Sequence, residues 1–99
     1  MHRHFLLILF FFLSFPSWAS YILIPMDNDS QSEHLKAYGI AYWVLDRGEE
    51  VQWLLNYKGG SFLVADKSNT QRELKIRGVD FEVIADSQAK QILAEVRSP

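Results

Sequence analysis

His34-LKAYGIAYWVLDRGEEVQWLLNYKGGS-Phe62 is the stretch whose reading decides the fold. Leu35, Tyr38, Tyr42 and Leu45 recur at helical spacing, and Ala37, Ile40, Ala41 and Val44 form a second apolar stripe. From Leu35 to Leu45 the one charged residue is Lys36. A surface helix usually carries one apolar stripe and one polar face. A helix over 35–45 that is apolar nearly all round therefore calls for cover on more than one side. Upstream, Ser30 and Glu33 have the S-x-x-E spacing of a capping box. Asp46-Arg47-Gly48 ends the helix, with Gly48 suited to the left-handed position after it. Val51–Tyr57 is short, apolar and β-rich, which predicts a strand buried on both faces. Lys58-Gly59-Gly60-Ser61 breaks it.

Working outward, Ser20–Met26 reads as a first strand, with Pro25 near its end, where a missing N–H is tolerated. Strand, loop, helix and strand make a βαβ unit, for which a parallel pair and a crossover helix are expected. Ser61–Ala65 either extends the second strand or forms a short separate one. Arg72–Arg77 is a short helical piece closed by Gly78. Val79–Ala85 alternates apolar and acidic residues and predicts a strand with one wetter face. A final helix over 88–97, capped by Asp86 or Ser87, has the one-sided stripe Ala89, Ile92, Leu93 and Val96. The order β-α-β-(α)-β-α predicts an α/β domain, half of a doubly wound, mostly parallel sheet. Such a half-sheet would leave edges and faces open, so residues 20–99 are expected to be an incomplete domain. It would be completed by the remainder of a longer chain or by a homodimer partner.

The N-terminus reads differently. Met1-His2-Arg3-His4 is a short basic start, Phe5–Phe15 is an almost unbroken apolar run, and Pro16 breaks it. Ser17 and Ala19 are small residues at the positions a signal peptidase reads. Residues 1–19 are expected to be a secretory signal peptide cleaved after Ala19, and the protein exported, periplasmic or secreted. The run of about 11 residues is shorter than the ~20 needed to span a bilayer, so no stable membrane anchor is expected after cleavage. Removing the leader takes away Arg3 and leaves nine basic against twelve acidic residues, a net charge of −3. That argues against nucleic acid or an anionic membrane surface as the main partner. There is no cysteine, hence no disulfide framework, thiolate metal site or acylated cysteine. A mature chain of about 80 residues must then rely on its core, which is marginal at that size.

Candidate chemistry is sparse. In an open parallel sheet ligands gather at the carboxyl ends of strands, here Asp27–Asp29, Asn56–Ser61 and Asp86–Ser87. Asp27, Asp29, Gln31 and Glu33 alternate like the start of a calcium loop. However, Ser32 stands where glycine is needed and Tyr38 where the closing glutamate belongs, so no metal site is expected. Lys58-Gly59-Gly60-Ser61 offers consecutive backbone amides beside a lysine, the makings of an anion nest, but lacks a phosphate-loop pattern. Ser61 is outside a G-x-S-x-G elbow. His34, the one histidine beyond the leader, forms neither a triad nor a metal site by itself. Trp43 and Trp53 are expected in the core or at an interface. The candidate ligand-binding residues are Asp27, Asn56, Lys58, Gly59, Gly60 and Ser61, with no catalytic residue and no cofactor.

Four runs carry a family resemblance: Tyr21–Asp27 (YILIPMD), His34–Trp43 (HLKAYGIAYW), Trp53–Phe62 (WLLNYKGGSF) and Ile76–Ala85 (IRGVDFEVIA). The chain resembles the start of a group of exported Bacteroidota proteins labelled asparagine synthetase B. The resemblance implies a longer protein whose later portion has a glutamine-amidotransferase-like α/β fold. The label implies amide-nitrogen or nucleotide chemistry, with catalytic residues beyond Pro99. It transfers no catalytic residue to this sequence. The amidase half of such an enzyme needs an N-terminal cysteine, and its ATP half needs an S-G-G-x-D-S loop. Gly59-Gly60-Ser61 is only a shifted fragment of that loop.

Overall fold

A computed structural model describes residues 20–97. The predicted signal peptide lies outside the described residues. The elements are β1 (Ser20–Ile24), α1 (His34–Asp46), β2 (Val51–Leu54), β3 (Ser61–Ala65), α2 (Ser68–Arg77), β4 (Glu82–Ala85) and α3 (Asp86–Arg97). The strands form one sheet in the order β2-β3-β1-β4. Every neighbouring pair is antiparallel, with Ile22 opposite Val64 and Val83, and Trp53 opposite Phe62.

The expected mostly parallel sheet is therefore corrected, and the reason is the loop at 55–60. It joins β2 to β3 in six residues, whereas a parallel crossover needs about a dozen or more. The chain must turn back on itself there, so Ser61–Ala65 becomes a strand of its own. β3 then inserts between β1 and β2, which still run in the same direction but are no longer neighbours. β1 inserts between β3 and β4 in the same way. Two interleaved, split βαβ units result, the ferredoxin-like arrangement.

Register sorts the side chains. Ile22, Ile24, Phe62 and Val64 pack beneath Ala37, Ile40, Ala41 and Val44 of α1 and Leu74 of α2. On the other face Leu23, Leu54, Leu63 and Ile84 pack against Ala89 and Ile92 of α3. The two central strands are thus buried on both sides, which is why they read as unbroken apolar runs. Each fully buried Ile or Leu contributes about 1.5–3 kcal/mol. Helices cover both faces of the sheet, while the edge strand β2 and one stripe of α1 stay exposed.

Local endings follow the sequence closely at the helix C-termini. Gly48 has φ 79°, its N–H donates to the Leu45 carbonyl, and the Glu49 N–H reaches back to Val44, a Schellman closure. Gly78 closes α2 in the same manner, with Val79 N–H donating to Leu74. The start of α1 departs from expectation. The helix begins at His34 with Glu33 as an N-cap that makes no side-chain capping bond. Ser30 instead donates its hydroxyl to Asp27 Oδ2 at 2.9 Å. The turn in which Ser30 and Gln31 N–H both donate to the Asp27 carbonyl holds Ser30 away from the helix end.

β2 is shorter than the predicted Val51–Tyr57 and is an edge strand, not one buried on both faces. Trp53 is 57% exposed and Leu55 67%. The other boundary changes are extensions or trims: α2 starts at Ser68 and β4 at Glu82.

Candidate functional site

The predicted polar site is partly assembled by the fold. Asp27 follows β1 and the 55–60 loop docks directly against it. Met26 N–H donates to the Lys58 carbonyl at 3.0 Å. A Cβ on Gly59 would stand 2.7 Å from the Asp27 nitrogen, so only glycine permits this approach. Lys58, Gly59 and Gly60 all have positive φ, at 44°, 75° and 94°. The loop is a tight reversal whose conformation Gly59 and Gly60 make accessible.

Two of the amides expected to bind an anion, and the Ser61 hydroxyl, are used by the loop itself. The N–H groups of Gly60 and Ser61 both donate to the Tyr57 carbonyl at 3.0 Å. The Ser61 side chain is fully buried and its hydroxyl donates to Tyr57 at 2.9 Å, with the Lys58 carbonyl at 3.3 Å. The Gly60 carbonyl accepts from Trp53 Nε1–H at 3.0 Å. Asn56 is turned away, its Nδ2 donating to the Val96 carbonyl of α3 at 3.4 Å. The Lys58 ammonium lies 3.9 Å from Glu82 in an exposed pair, which contributes little. In the predicted site, Asp27 Oδ1 is a buried oxygen without a hydrogen-bond partner. His34 Nε2 lies 2.9 Å from the Met26 carbonyl nearby. Among the described residues no group of three or more His, Cys, Asp or Glu is placed to hold a metal ion, and no helix is long and apolar enough to cross a membrane. The arrangement closes a hairpin onto β1.

A second polar cluster was not legible in the sequence. Gln31 is buried, and its Nε2 donates to the carbonyls of Pro25 and Asp80, both at 2.9 Å. Its Oε1 accepts from Asp80 N–H at 3.0 Å. Asp80 Oδ2 in turn accepts from Ser32 N–H at 2.8 Å and the Ser32 hydroxyl at 2.7 Å. The Ser32 hydroxyl, followed by the Ser32 amide, holds the Asp80 carboxyl below its ordinary 3.8. These bonds fasten the 25–33 loop to the entry of β4. A shallow depression beside α2, lined by Asp66, Ser68, Gln71, Arg72, Lys75 and Ile76, is likewise partly self-satisfied, since Asp66 accepts from Ser20 and Gln71.

The fold also leaves an apolar surface exposed. Leu35, Tyr38, Tyr42 and Leu45 of α1 are 86%, 50%, 72% and 55% exposed. Only the second stripe of this helix faces the core. The Tyr38 ring meets Phe62 edge-on at 5.6 Å, and Phe62 stacks on Trp53 at 6.1 Å. The exposed stripe of α1 is thereby continuous with Trp53 on the open edge strand β2. Trp43 is partly buried against the core, with the Arg47 guanidinium 4.5 Å above its ring.

Fold and surface together define a small ferredoxin-like α/β domain with an apolar flank. Comparison with protein-family models, curated proteins and solved structures finds no match for this chain.

Proposed function

We propose that residues 20–97 are an exported protein-interaction module without catalytic machinery of its own. The observation that carries this reading is the continuous apolar flank of Leu35, Tyr38, Tyr42, Leu45 and Trp53. Exposed apolar side chains scattered singly need no explanation, but a contiguous patch marks an interaction surface. Tyrosine and tryptophan are the residues that dominate binding energy at such surfaces. The polar residues first suspected of ligand binding support the reading indirectly, because Gly60, Ser61 and Asn56 are engaged in holding the hairpin and α3. Export rests on the signal-peptide layout of residues 1–19. The amide-nitrogen chemistry suggested by the resemblance would draw its nucleophile from residues outside this sequence, which has no cysteine.

Site-specific photocross-linking in the producing cell tests the proposal. A photoreactive phenylalanine analogue replaces Tyr42 in one variant and Glu95, exposed on α3, in another. A defined cross-linked product from the Tyr42 position and none from the Glu95 position is the expected result. No product from either position overturns it.

A further inference from the structure

We infer that the partner of the apolar flank is a second copy of this chain, packed antiparallel across α1; this rests on the interaction reading above. The exposed stripe reads Leu-x2-Tyr-x3-Tyr-x2-Leu. It is a palindrome: Leu35 and Leu45 are equidistant from Ile40, and so are Tyr38 and Tyr42. A two-fold interface must be self-complementary, with residue i on j of the partner and j on i. A dyad at the level of Ile40 does this for all four residues. It sets Leu35 level with the partner copy's Leu45, and Tyr38 level with its Tyr42. The helix macrodipoles then run in opposite directions, which is also favourable. A heterologous partner would place no such demand on the order of residues.

The area is sufficient. With the exposures given above, the four stripe residues and Trp53 present roughly 600 Å² per copy, taking aromatic side chains at up to about 250 Å² each. Two copies that covered these residues completely would bury about 1,200 Å², the lower end of stable, specific interfaces. β2 lies on the same flank and its outer side has no strand partner among the described residues, a feature that monomeric proteins generally protect. The competing occupant is a lipid surface. Interfacial helices carry lysine and arginine beside their apolar face, whereas Lys36 is the one basic residue between Leu35 and Leu45 and the chain beyond the leader is acidic.

The absence of native cysteine makes the geometry directly testable. The full chain, expressed with its own N-terminus, is made as Leu35→Cys and Leu45→Cys variants, and the two are mixed and oxidised. Along a helix these positions are about 15 Å apart, so antiparallel packing joins Leu35→Cys to Leu45→Cys and keeps like positions beyond disulfide reach. Preferential formation of the mixed disulfide is the expected result. Sedimentation of the unmodified chain is expected to show a reversible dimer, weakened about tenfold or more by Tyr42→Glu, with equal melting temperatures for the two chains at concentrations where both are monomeric. A monomer at every concentration, a dimer indifferent to Tyr42→Glu, or preferential joining of Leu35→Cys to itself overturns the proposal. Binding by a monomer to phosphatidylcholine–phosphatidylglycerol vesicles, lost in Tyr42→Glu, also overturns it. So does a photocross-linked product from Tyr42 whose mass is not twice that of the chain. The cross-linked product of other mass leaves the protein-interaction reading standing, whereas vesicle binding overturns both.

Discussion

The Gln31 side chain closes a two-way hydrogen bond with the main chain of Asp80. Nε2 donates to its carbonyl at 2.9 Å, and Oε1 accepts its N–H at 3.0 Å. The two residues are 49 apart in sequence. A single buried amide thus joins the loop leading into α1 to the loop leading into β4.

Replacing Gln31 with Leu keeps the volume and removes every one of these bonds. The carbonyls of Pro25 and Asp80 and the Asp80 N–H lose their protein partner. Buried groups stranded in this way cost about 1–3 kcal/mol each where water cannot replace the bond. The part-buried Asp80 groups recover some of that from solvent, so a net loss of about 2–3 kcal/mol is expected. For a domain of this size that lowers the melting temperature by about 10–20 °C, read by thermal circular dichroism.

The Asp80 carboxylate gives stability a pH dependence. Its bonds from Ser32 depress its pKa below 3.8. A depressed carboxylate contributes stability that is present above its unfolded pKa and is lost as pH falls through the lower folded value. Asp80→Asn should therefore be less stable than the parent chain at neutral pH, with the gap narrowing as the pH falls below 3.8. Paired urea melts across that range check the sign. A gap that widens in acid would contradict it.

Two glycines with nearly the same backbone should respond differently to alanine. Gly48 (φ 79°) has no atom within 4 Å of a Cβ, whereas at Gly59 (φ 75°) a Cβ meets the Asp27 main chain at 2.7 Å. Gly48→Ala should cost only the left-handed strain, about 1–2 kcal/mol. Gly59→Ala should cost about 3 kcal/mol or more, because the hairpin must also lift off β1. Denaturant midpoints of the two variants measure the difference.

The two stripes of α1 should separate stability from association. Ile40 is fully buried, and Ile40→Ala should destabilise by about 2–5 kcal/mol. Tyr42→Ala, on the 72% exposed side, should leave monomer stability within about 0.5 kcal/mol. Measured at low concentration, where association is negligible, equal losses from the two would show that the faces are assigned wrongly.

Local features of this chain are legible because their causes are local. Helical spacing marks both stripes of α1, and Gly48 and Gly78 mark where helices end, but burial on both faces, expected of 51–57, belongs instead to β1 and β3. Asp27 and the 58–60 segment can be named as a pair of loops at strand ends. Their contact was anticipated on the premise of a parallel sheet, but it arises because the 55–60 hairpin folds back onto β1. The length of that loop was itself a signal, since six residues cannot make a parallel crossover. The capping box at Ser30 does not form because the turn on the Asp27 carbonyl holds Ser30 away from the helix end, and the Gln31 side chain ties that loop to Pro25 and Asp80.

Amino-acid order alone determined the α/β mix and the order of most elements, leaving open whether Ser61–Ala65 is a strand of its own, together with the apolar excess of α1 and the lack of cysteine. Periodicity, turn residues and composition act over a few positions or over none. Only the tertiary structure decided which strands are neighbours, that Gln31 meets Asp80, and which stripe of α1 is buried. Both stripes satisfy the helical period equally well. The choice depends on the face that the sheet presents, and Ala37, Ile40, Ala41 and Val44 are compact enough to seat the helix closely on Ile22, Ile24 and Val64. The bulkier Leu35, Tyr38, Tyr42 and Leu45 are left outside.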